Sequence, residues 1–291
     1  MSIATEIQRL QEAKADIKTA IEEKGVEVGN GLIDGYADKV DDVYDKGILE
    51  GKNSQYDLFW DNFQNKGDLK CYPCAFQKWD ESAFYPKYDI IVAANNGVQY
   101  GGANSMFHEF NSLKDSNKVE TKEPIDLAQR LEECGVVLDT SRVNAFTYSF
   151  HTANVTRLPA IDTTGSTSIG YMLFHNSTNL ETIDKLILKD DGSQGSNSNN
   201  FEGCIKLKNI TIEGVIGSTF NIRWSTLLEK ESIKSIVNAL SSSKTGQSVI
   251  FSKTAVNNAF GINVDDPSTY PEGSEYYNLR QSKENWTFSY M

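Results

Sequence analysis

All three histidines of the chain follow a phenylalanine, and the pairs Phe150–His151 and Phe174–His175 lie 24 residues apart. If the two phenylalanines hold equivalent positions, His151 and His175 lie on adjacent backbone turns, about one strand spacing (~5 Å) apart. Two imidazoles so placed can bind a transition metal or respond to protonation. Without a third nearby ligand, we favour a solvent-facing ladder that binds nothing, and we predict no metal site.

Cys71 and Cys74 form the motif CYPC, which can indicate redox chemistry or zinc binding. A redox motif of this kind lies between an apolar strand and a helix, whereas NKGDLK precedes this one. The sequence has no second CxxC pair and no HxxxH to complete a zinc site. We interpret the two cysteines as small apolar residues around a turn proline, and whether they pair stays open.

Motifs of the common enzyme classes are missing from the sequence. It contains no GxSxG, no HExxH and no phosphate-binding loop. Carboxylates are plentiful, but their spacing does not single out an acid and a base. We therefore predict a non-enzymatic protein without a cofactor.

The overall charge argues against several partners. The chain of 291 residues has a formal net charge of −12 and a pI of about 4.8. Nucleic-acid binding is disfavoured, because affinity for phosphate backbones comes mainly from lysine and arginine.

No apolar run approaches the roughly 20 residues that cross a bilayer, so membrane insertion is not predicted. No secretory signal is visible, and we expect synthesis and folding in a cytoplasm.

Apolar residues over 2–24 recur at alternating steps of four and three, which predicts an amphipathic helix. The stripe consists of Ile3, Ile7, Leu10, Lys14, Ile17 and Ile21. Two positions in seven is the spacing of a coiled-coil contact, in which Lys14 would set register or copy number. Packing against its own domain is the alternative, and the spacing alone leaves both open. A bare apolar stripe needs a partner to cover it, so we predict that residues 1–24 make intermolecular contacts.

The composition divides the chain near residue 66. Further helices are predicted over 33–49 and 55–64, which makes 1–66 a helical docking or oligomerisation segment. Beyond it, Asn, Ser, Thr, Gly and short β-branched runs dominate. We expect 67–140 to be an irregular first part, 141–218 to hold repeats and 219–291 to be a cap of helix and strands.

A repeated pattern defines the candidate core. Phe201, Cys204, Leu207, Ile210 and Ile212 follow steps of three, three, three and two, and Phe150 and Phe174 begin related units. Steps of 24 and 27 residues between the phenylalanines fall in the range of leucine-rich repeats. We predict burial of these seven residues, and an α+β fold in which a helical, coiled-coil segment precedes a short leucine-rich-repeat solenoid with a C-terminal helix-strand cap.

Several stretches resemble known families. The segments NNFEGCIKLKNITIEG and YMLFHNSTNLETI resemble BspA-like leucine-rich repeats. The segments IATEIQRLQEAKADIKTAIEEKGV and GKNSQYDLFWDNFQNKG resemble the start of tail, baseplate or fibre proteins from phages of gut bacteria. The resemblance implies a virion structural or adhesion protein and brings no catalytic residues with it. Because fibres of the resembled kind are commonly trimeric, it also implies a homotrimer.

These observations predict a phage structural protein made in the bacterial host cytoplasm and located in the virion. Its expected partners are copies of itself, other virion proteins and a host-surface glycan or protein. The alternative is a bacterial leucine-rich-repeat protein-binding module that is not part of a virion. Attachment to tail, baseplate or capsid, and the identity of the receptor, do not follow from the sequence.

Overall fold

A computed structural model describes residues 3–23, 90–94, 107, 123–143, 145–195 and 199–291. The chain divides into two compact units, 1–63 and 64–291. The predicted helices over 33–49 and 55–64, together with Cys71, Cys74 and His108, lie outside the described residues. The predicted subdivision of 67–291 stays a prediction.

In the first unit, helix α1 spans Ile3–Glu22, within the range that the stripe predicts. Along the described side chains of that stripe, Lys14 is half-buried, Ile17 is 42% exposed and Ile21 is buried. The side chains of Ile3, Ile7 and Leu10 lie outside the described part. The function of the stripe stays a prediction.

The second unit is built on parallel sheets. Strands β1 (Ile90–Ala94) and β3 (Val137–Arg142) form one sheet. A four-stranded sheet has the order β2 (Ile125–Asp126), β4 (Val155–Asp162), β5 (Thr182–Ile187) and β6 (Asn209–Glu213), and a three-stranded sheet has the order β7 (Phe220–Asn221), β8 (Gln247–Phe251) and β9 (Trp286–Tyr290). The helices of this unit are α2 (Leu127–Glu133), α3 (Lys230–Ala239), α4 (Lys253–Phe260) and α5 (Glu275–Gln281).

The predicted α+β class with a leucine-rich-repeat solenoid is wrong. Every strand pair in the described residues is parallel, and the strands form three separate sheets, so the fold is α/β. The physical reason is the placement of the helices. Helix α3 connects β7 to β8, and α4 and α5 connect β8 to β9, as crossovers between parallel strands require. The sequence interpretation had instead grouped these elements into a separate cap.

Apolar side chains determine the register of the four-stranded sheet. Leu158 pairs with Ile183, and Ile183 pairs with Ile210 on the next strand. A second row joins Ile161, Leu186 and Ile212. All six side chains are buried. Because a slip by one residue would turn these side chains out of the core, burial specifies this pairing.

The outer edge of β6 is covered by helix α3. The Ile210 N–H donates to Ser232 Oγ (2.9 Å), and the Ile212 N–H donates to Ser235 Oγ (2.8 Å). Ser232 Oγ in turn donates to the Lys208 carbonyl (3.0 Å). The two serines lie three positions apart and therefore on one helix face. Their hydroxyls satisfy the strand N–H groups that a further strand would otherwise bind.

A glycine ends β6 where the chain approaches its neighbour closely. Gly214 has φ of +89°, and a Cβ atom there would overlap the carbonyl oxygen of Leu188. Any other residue would require both an unfavourable backbone conformation and a displacement of Leu188. The turn after β6 therefore depends on glycine.

Serine side chains cap two helices of the C-terminal sheet, α4 and α5. Ser252 accepts from the Ala255 N–H at the start of α4, and Gly261 ends α4 in the left-handed conformation. Ser274 caps α5 in the same way, through the Tyr277 N–H. Among the helices that the structure describes, none has the length and apolar character to cross a bilayer.

Candidate binding surface

Three successive turns precede strands β4, β5 and β6, and backbone hydrogen bonds join them. The Phe150 N–H donates to the Leu173 carbonyl (2.8 Å), and the Thr152 N–H donates to the His175 carbonyl (2.9 Å). The second turn donates to the third in the same way, from the Asn176 N–H to the Glu202 carbonyl (2.7 Å). Equivalent residues of the three turns therefore lie side by side.

A column of phenylalanine rings in contact, stacked for the first two pairs and tilted for the last two, lies beneath the turns. The ring centroids are 5.1 Å apart for Phe107–Phe150, 5.9 Å for Phe150–Phe174, 5.3 Å for Phe174–Phe201 and 5.4 Å for Phe201–Phe220. All five rings are buried. Such ring pairs contribute about 0.5–1.5 kcal/mol each beyond the burial of their area. The column fixes where the residue after each phenylalanine emerges.

The resulting surface is a continuous row of four rings that ends in a carboxylate. We call it the aromatic–imidazole strip, and its members are Tyr171, Tyr148, His151, His175 and Glu202. Tyr171 meets Tyr148 edge to face at 5.6 Å, and Tyr148 meets His151 edge to face at 5.2 Å. The rings of His151 and His175 are stacked at 4.9 Å. Glu202 Oε2 lies 3.8 Å from His175 Nε2. Tyr171 is 41% exposed, and the other four residues are half-buried.

Unusual backbone conformations coincide with the strip. Among the described residues, the non-glycine residues with positive φ are Tyr148, Thr152, Met172 and Asn176, and all four lie in the first two turns. Each such residue costs on the order of 1–3 kcal/mol, and strain of this kind clusters at functional sites. The third turn has Gly203 where Asn176 lies in the second, so the strain is confined to the turns that hold the tyrosines and histidines.

The histidines do not form a metal site with their neighbours. His175 Nδ1 is buried without a hydrogen-bond partner, and His151 Nδ1 lies 3.3 Å from Thr152 Oγ1. Throughout the described ranges, no three His, Cys, Asp or Glu side chains are placed to hold a metal ion. The strip is therefore a surface of rings with a carboxylate at one end.

The seven candidate core residues all lie in the interior: Phe150, Phe174, Phe201, Cys204, Leu207, Ile210 and Ile212 are 9% exposed or less. Cys204 Sγ donates to the Phe174 carbonyl at 3.0 Å, and Ser177 Oγ bonds the Phe150 carbonyl at the equivalent position one turn earlier. Burial raises the pKa of the Cys204 thiol to about 12. These residues position the strip and are not part of its surface.

The sequence interpretation identified His151 and His175 but missed the other members of the strip. One signal was present, because Glu202 follows Phe201 as each histidine follows its phenylalanine. Tyr148 and Tyr171 precede their phenylalanines by two and three residues, which is not a constant spacing. That irregular spacing predicts neither the positive φ at Tyr148 and Met172 nor the contact between the two rings.

An ion-pair cluster centred on Arg157 was also missed. Its guanidinium donates to both carboxylate oxygens of Asp184, at 2.6 and 2.9 Å, and approaches Asp126 (3.8 Å) and Glu132 (3.4 Å). The hydrogen bond to Asp184 raises the pKa of Arg157. The cluster ties β2, α2, β4 and β5 together.

Asp184 and Glu231 also line a hollow of about 380 Å³ between β5, β6 and α3. Cations already engage both carboxylates: Asp184 is paired with Arg157, and Glu231 lies 3.1 Å from Lys234 Nζ.

Comparison of the chain with known proteins matches no family model, no curated protein and no solved structure.

Proposed function

We propose that this chain is a non-enzymatic structural and adhesion protein of a phage particle. The segment 1–24 attaches it to other virion proteins or to copies of itself, and the parallel-sheet unit contacts a glycan on the host surface. The resemblance of the N-terminal segments to phage tail, baseplate and fibre proteins supports a location in a phage particle. The aromatic–imidazole strip carries the proposal of adhesion.

The chemistry of the strip suits a sugar chain. Tyrosine rings pack on the apolar C–H faces of sugar rings, and the Glu202 carboxylate accepts hydrogen bonds from hydroxyl groups. Tyrosine also loses little conformational entropy on binding. The five residues follow one another across three turns, so the strip favours an extended ligand over a compact one.

A glycan-binding measurement tests adhesion. The full chain is titrated against surface polysaccharide from candidate host bacteria, together with Tyr171→Ala and Trp224→Ala. We expect Tyr171→Ala to weaken binding at least tenfold, equivalent to about 1.4 kcal/mol. Trp224→Ala is the matched control, since Trp224 is a similarly exposed aromatic (38%) outside the strip. Equal loss in both variants, or no binding by the parent chain, contradicts the proposal.

A separate experiment tests whether the protein is part of a phage particle. Mass spectrometry of purified particles should find this chain at a fixed ratio to the other virion proteins, and antibody-labelled micrographs should locate it. Its absence from particles, together with retained glycan binding, would favour the bacterial binding module instead.

A further inference from the structure

The edge strand β9 leaves a row of backbone groups facing outward. The Met291 N–H donates to the Phe251 carbonyl (3.1 Å), and the Lys253 N–H donates to the Met291 carbonyl (2.9 Å). Residue 291 thus directs both backbone groups toward β8. Because backbone groups alternate in direction along a strand, Thr287 and Ser289 also face β8, whereas Trp286, Phe288 and Tyr290 face the outer edge.

The outward groups are nearly all available. The Trp286 N–H donates to the Lys283 carbonyl (3.0 Å), so that donor is satisfied. Within the described part of the chain, the backbone N–H and carbonyl groups of Phe288 and Tyr290 have no other partner on this side, and neither has the Trp286 carbonyl. An edge of this kind is a template for a further strand.

The other sheet edges in this region are protected, whereas none of the described residues covers the outer edge of β9. Serine hydroxyls of α3 cover β6, and β7 at the opposite edge of the same sheet is only two residues long. The β9 sequence WTFSY contains no charged residue and no proline, and its pairing with β8 is free of bulges. Charges, prolines, bulges and short strands are the devices that normally prevent edge pairing.

We propose that β9 pairs antiparallel with β9 of a second copy of this chain, across a two-fold axis at Phe288. The available groups are self-complementary in this arrangement. Phe288 would exchange both bonds with the partner's Phe288, and the Tyr290 N–H would donate to the carbonyl of the partner's Trp286. The pairing makes about four hydrogen bonds and does not need the Trp286 N–H, the one outward donor already in use.

This arrangement also brings side chains together in pairs. Thr287, which is exposed, lies opposite the partner's Ser289 as a pair without backbone hydrogen bonds between them, where side chains approach most closely. The Phe288 rings meet on the face where the Arg280 guanidinium lies 5.6 Å from the ring of Phe288. The interface is independent of the strip and of the proposed function.

Sedimentation equilibrium on the full chain tests the proposal. Phe288→Pro removes the outward N–H and leaves the bonds to β8 intact, because those come from Thr287 and Ser289. We expect this variant to have half the mass of the parent chain at the same concentration. Phe288→Leu keeps the N–H and should keep the parent mass.

A charge-swap pair covers the case in which Phe288→Pro does not fold. The double variant Thr287→Lys, Ser289→Lys places lysines opposite each other and should halve the mass. The variant Thr287→Lys, Ser289→Glu places opposite charges there and should restore it. If the parent chain and all folded variants have the same mass, the proposal is wrong. That result is also the one expected if β9 binds a segment of a different protein instead of a second copy.

Discussion

The imidazole rings of His151 and His175 lie parallel, with centroids 4.9 Å apart and planes 4° apart. Two polar side chains thus continue the stacking that the phenylalanines maintain in the core below. His175 contributes mainly as a ring, because its Nδ1 is buried without a partner and its Nε2 meets the half-exposed Glu202 only at 3.8 Å. A polar contact of this length at the surface contributes little to stability.

Replacing the ring of His175 by an apolar ring should therefore be tolerated. We expect His175→Phe to leave the free energy of unfolding unchanged or to raise it by up to about 1 kcal/mol, because it removes an unsatisfied buried nitrogen. His175→Ala should lower it by about 1–2 kcal/mol through lost ring contact. Urea unfolding measures both variants. A Phe variant less stable than the Ala variant would show that the nitrogen atoms matter more than the ring.

The core beneath β6 should respond to Leu207. This side chain is fully buried, and we expect Leu207→Ala to lower the free energy of unfolding by about 2–5 kcal/mol. Ile205→Ala is the matched control, since Ile205 lies two residues away and is 48% exposed. Its effect should stay within about 0.5 kcal/mol. Chemical denaturation measures the free energy of unfolding of both variants. Equal values would contradict the assignment of Leu207 to the core.

The spacing of apolar residues was sufficient to place the core but not to assign the fold class. Steps of three place Phe201, Cys204 and Leu207 inside, and the step of two marks the strand that holds Ile210 and Ile212. A strand pattern does not state which strands pair, because pairing depends on side chains far apart in sequence. Ser232 and Ser235 illustrate this, since only the folded chain brings their hydroxyls to the edge of β6.

The serine contacts at β6 lead to a second stability prediction. Ser232→Ala removes the acceptor for the buried Ile210 N–H, and we expect a loss of about 1–3 kcal/mol. Ser242→Ala is the control, because Ser242 is exposed and should tolerate the change within about 0.5 kcal/mol. Amide hydrogen exchange gives an independent measurement. The Ile210 amide should exchange faster in Ser232→Ala, and unchanged protection would contradict the assigned role of the hydroxyl.

Alkaline pH should destabilise the fold through Cys204. Burial raises the pKa of this thiol from 9.0 to about 12, so the unfolded chain loses the proton first. The contribution of this buried thiol to the free energy of unfolding is fully present below pH 9. It is lost progressively as the pH rises from 9 toward 12. Between pH 8 and 10 this amounts to about 1.4 kcal/mol.

The variant Cys204→Ser isolates this contribution. Serine occupies the equivalent position of the preceding turn as Ser177 and does not titrate in this range. Urea unfolding at pH 8 and pH 10 should show a smaller loss for the variant than for the parent chain. The same loss in both would assign the effect to other groups, such as the tyrosines.

The last prediction concerns the stripe on α1. The helix of 20 residues is about 30 Å long, and Ile17 in its stripe is 42% exposed while Ile21 is buried. We expect this stripe to join three copies of the 32.4 kDa chain, independently of any pairing through β9. Ile17→Glu should reduce the mass threefold in sedimentation, because a carboxylate at the contact would lose water on burial.

Ala15→Glu is the matched control, since Ala15 is exposed on the same helix and lies two positions away, toward the other side. It adds the same charge and should leave the mass unchanged. The threefold change also separates this contact from pairing through β9, whose variants change the mass by a factor of two. If Ile17→Glu and a chain lacking residues 1–24 both keep the parent mass, α1 does not assemble the chain. If the shortened chain also still joins the particle, residues 1–24 do not attach it there either.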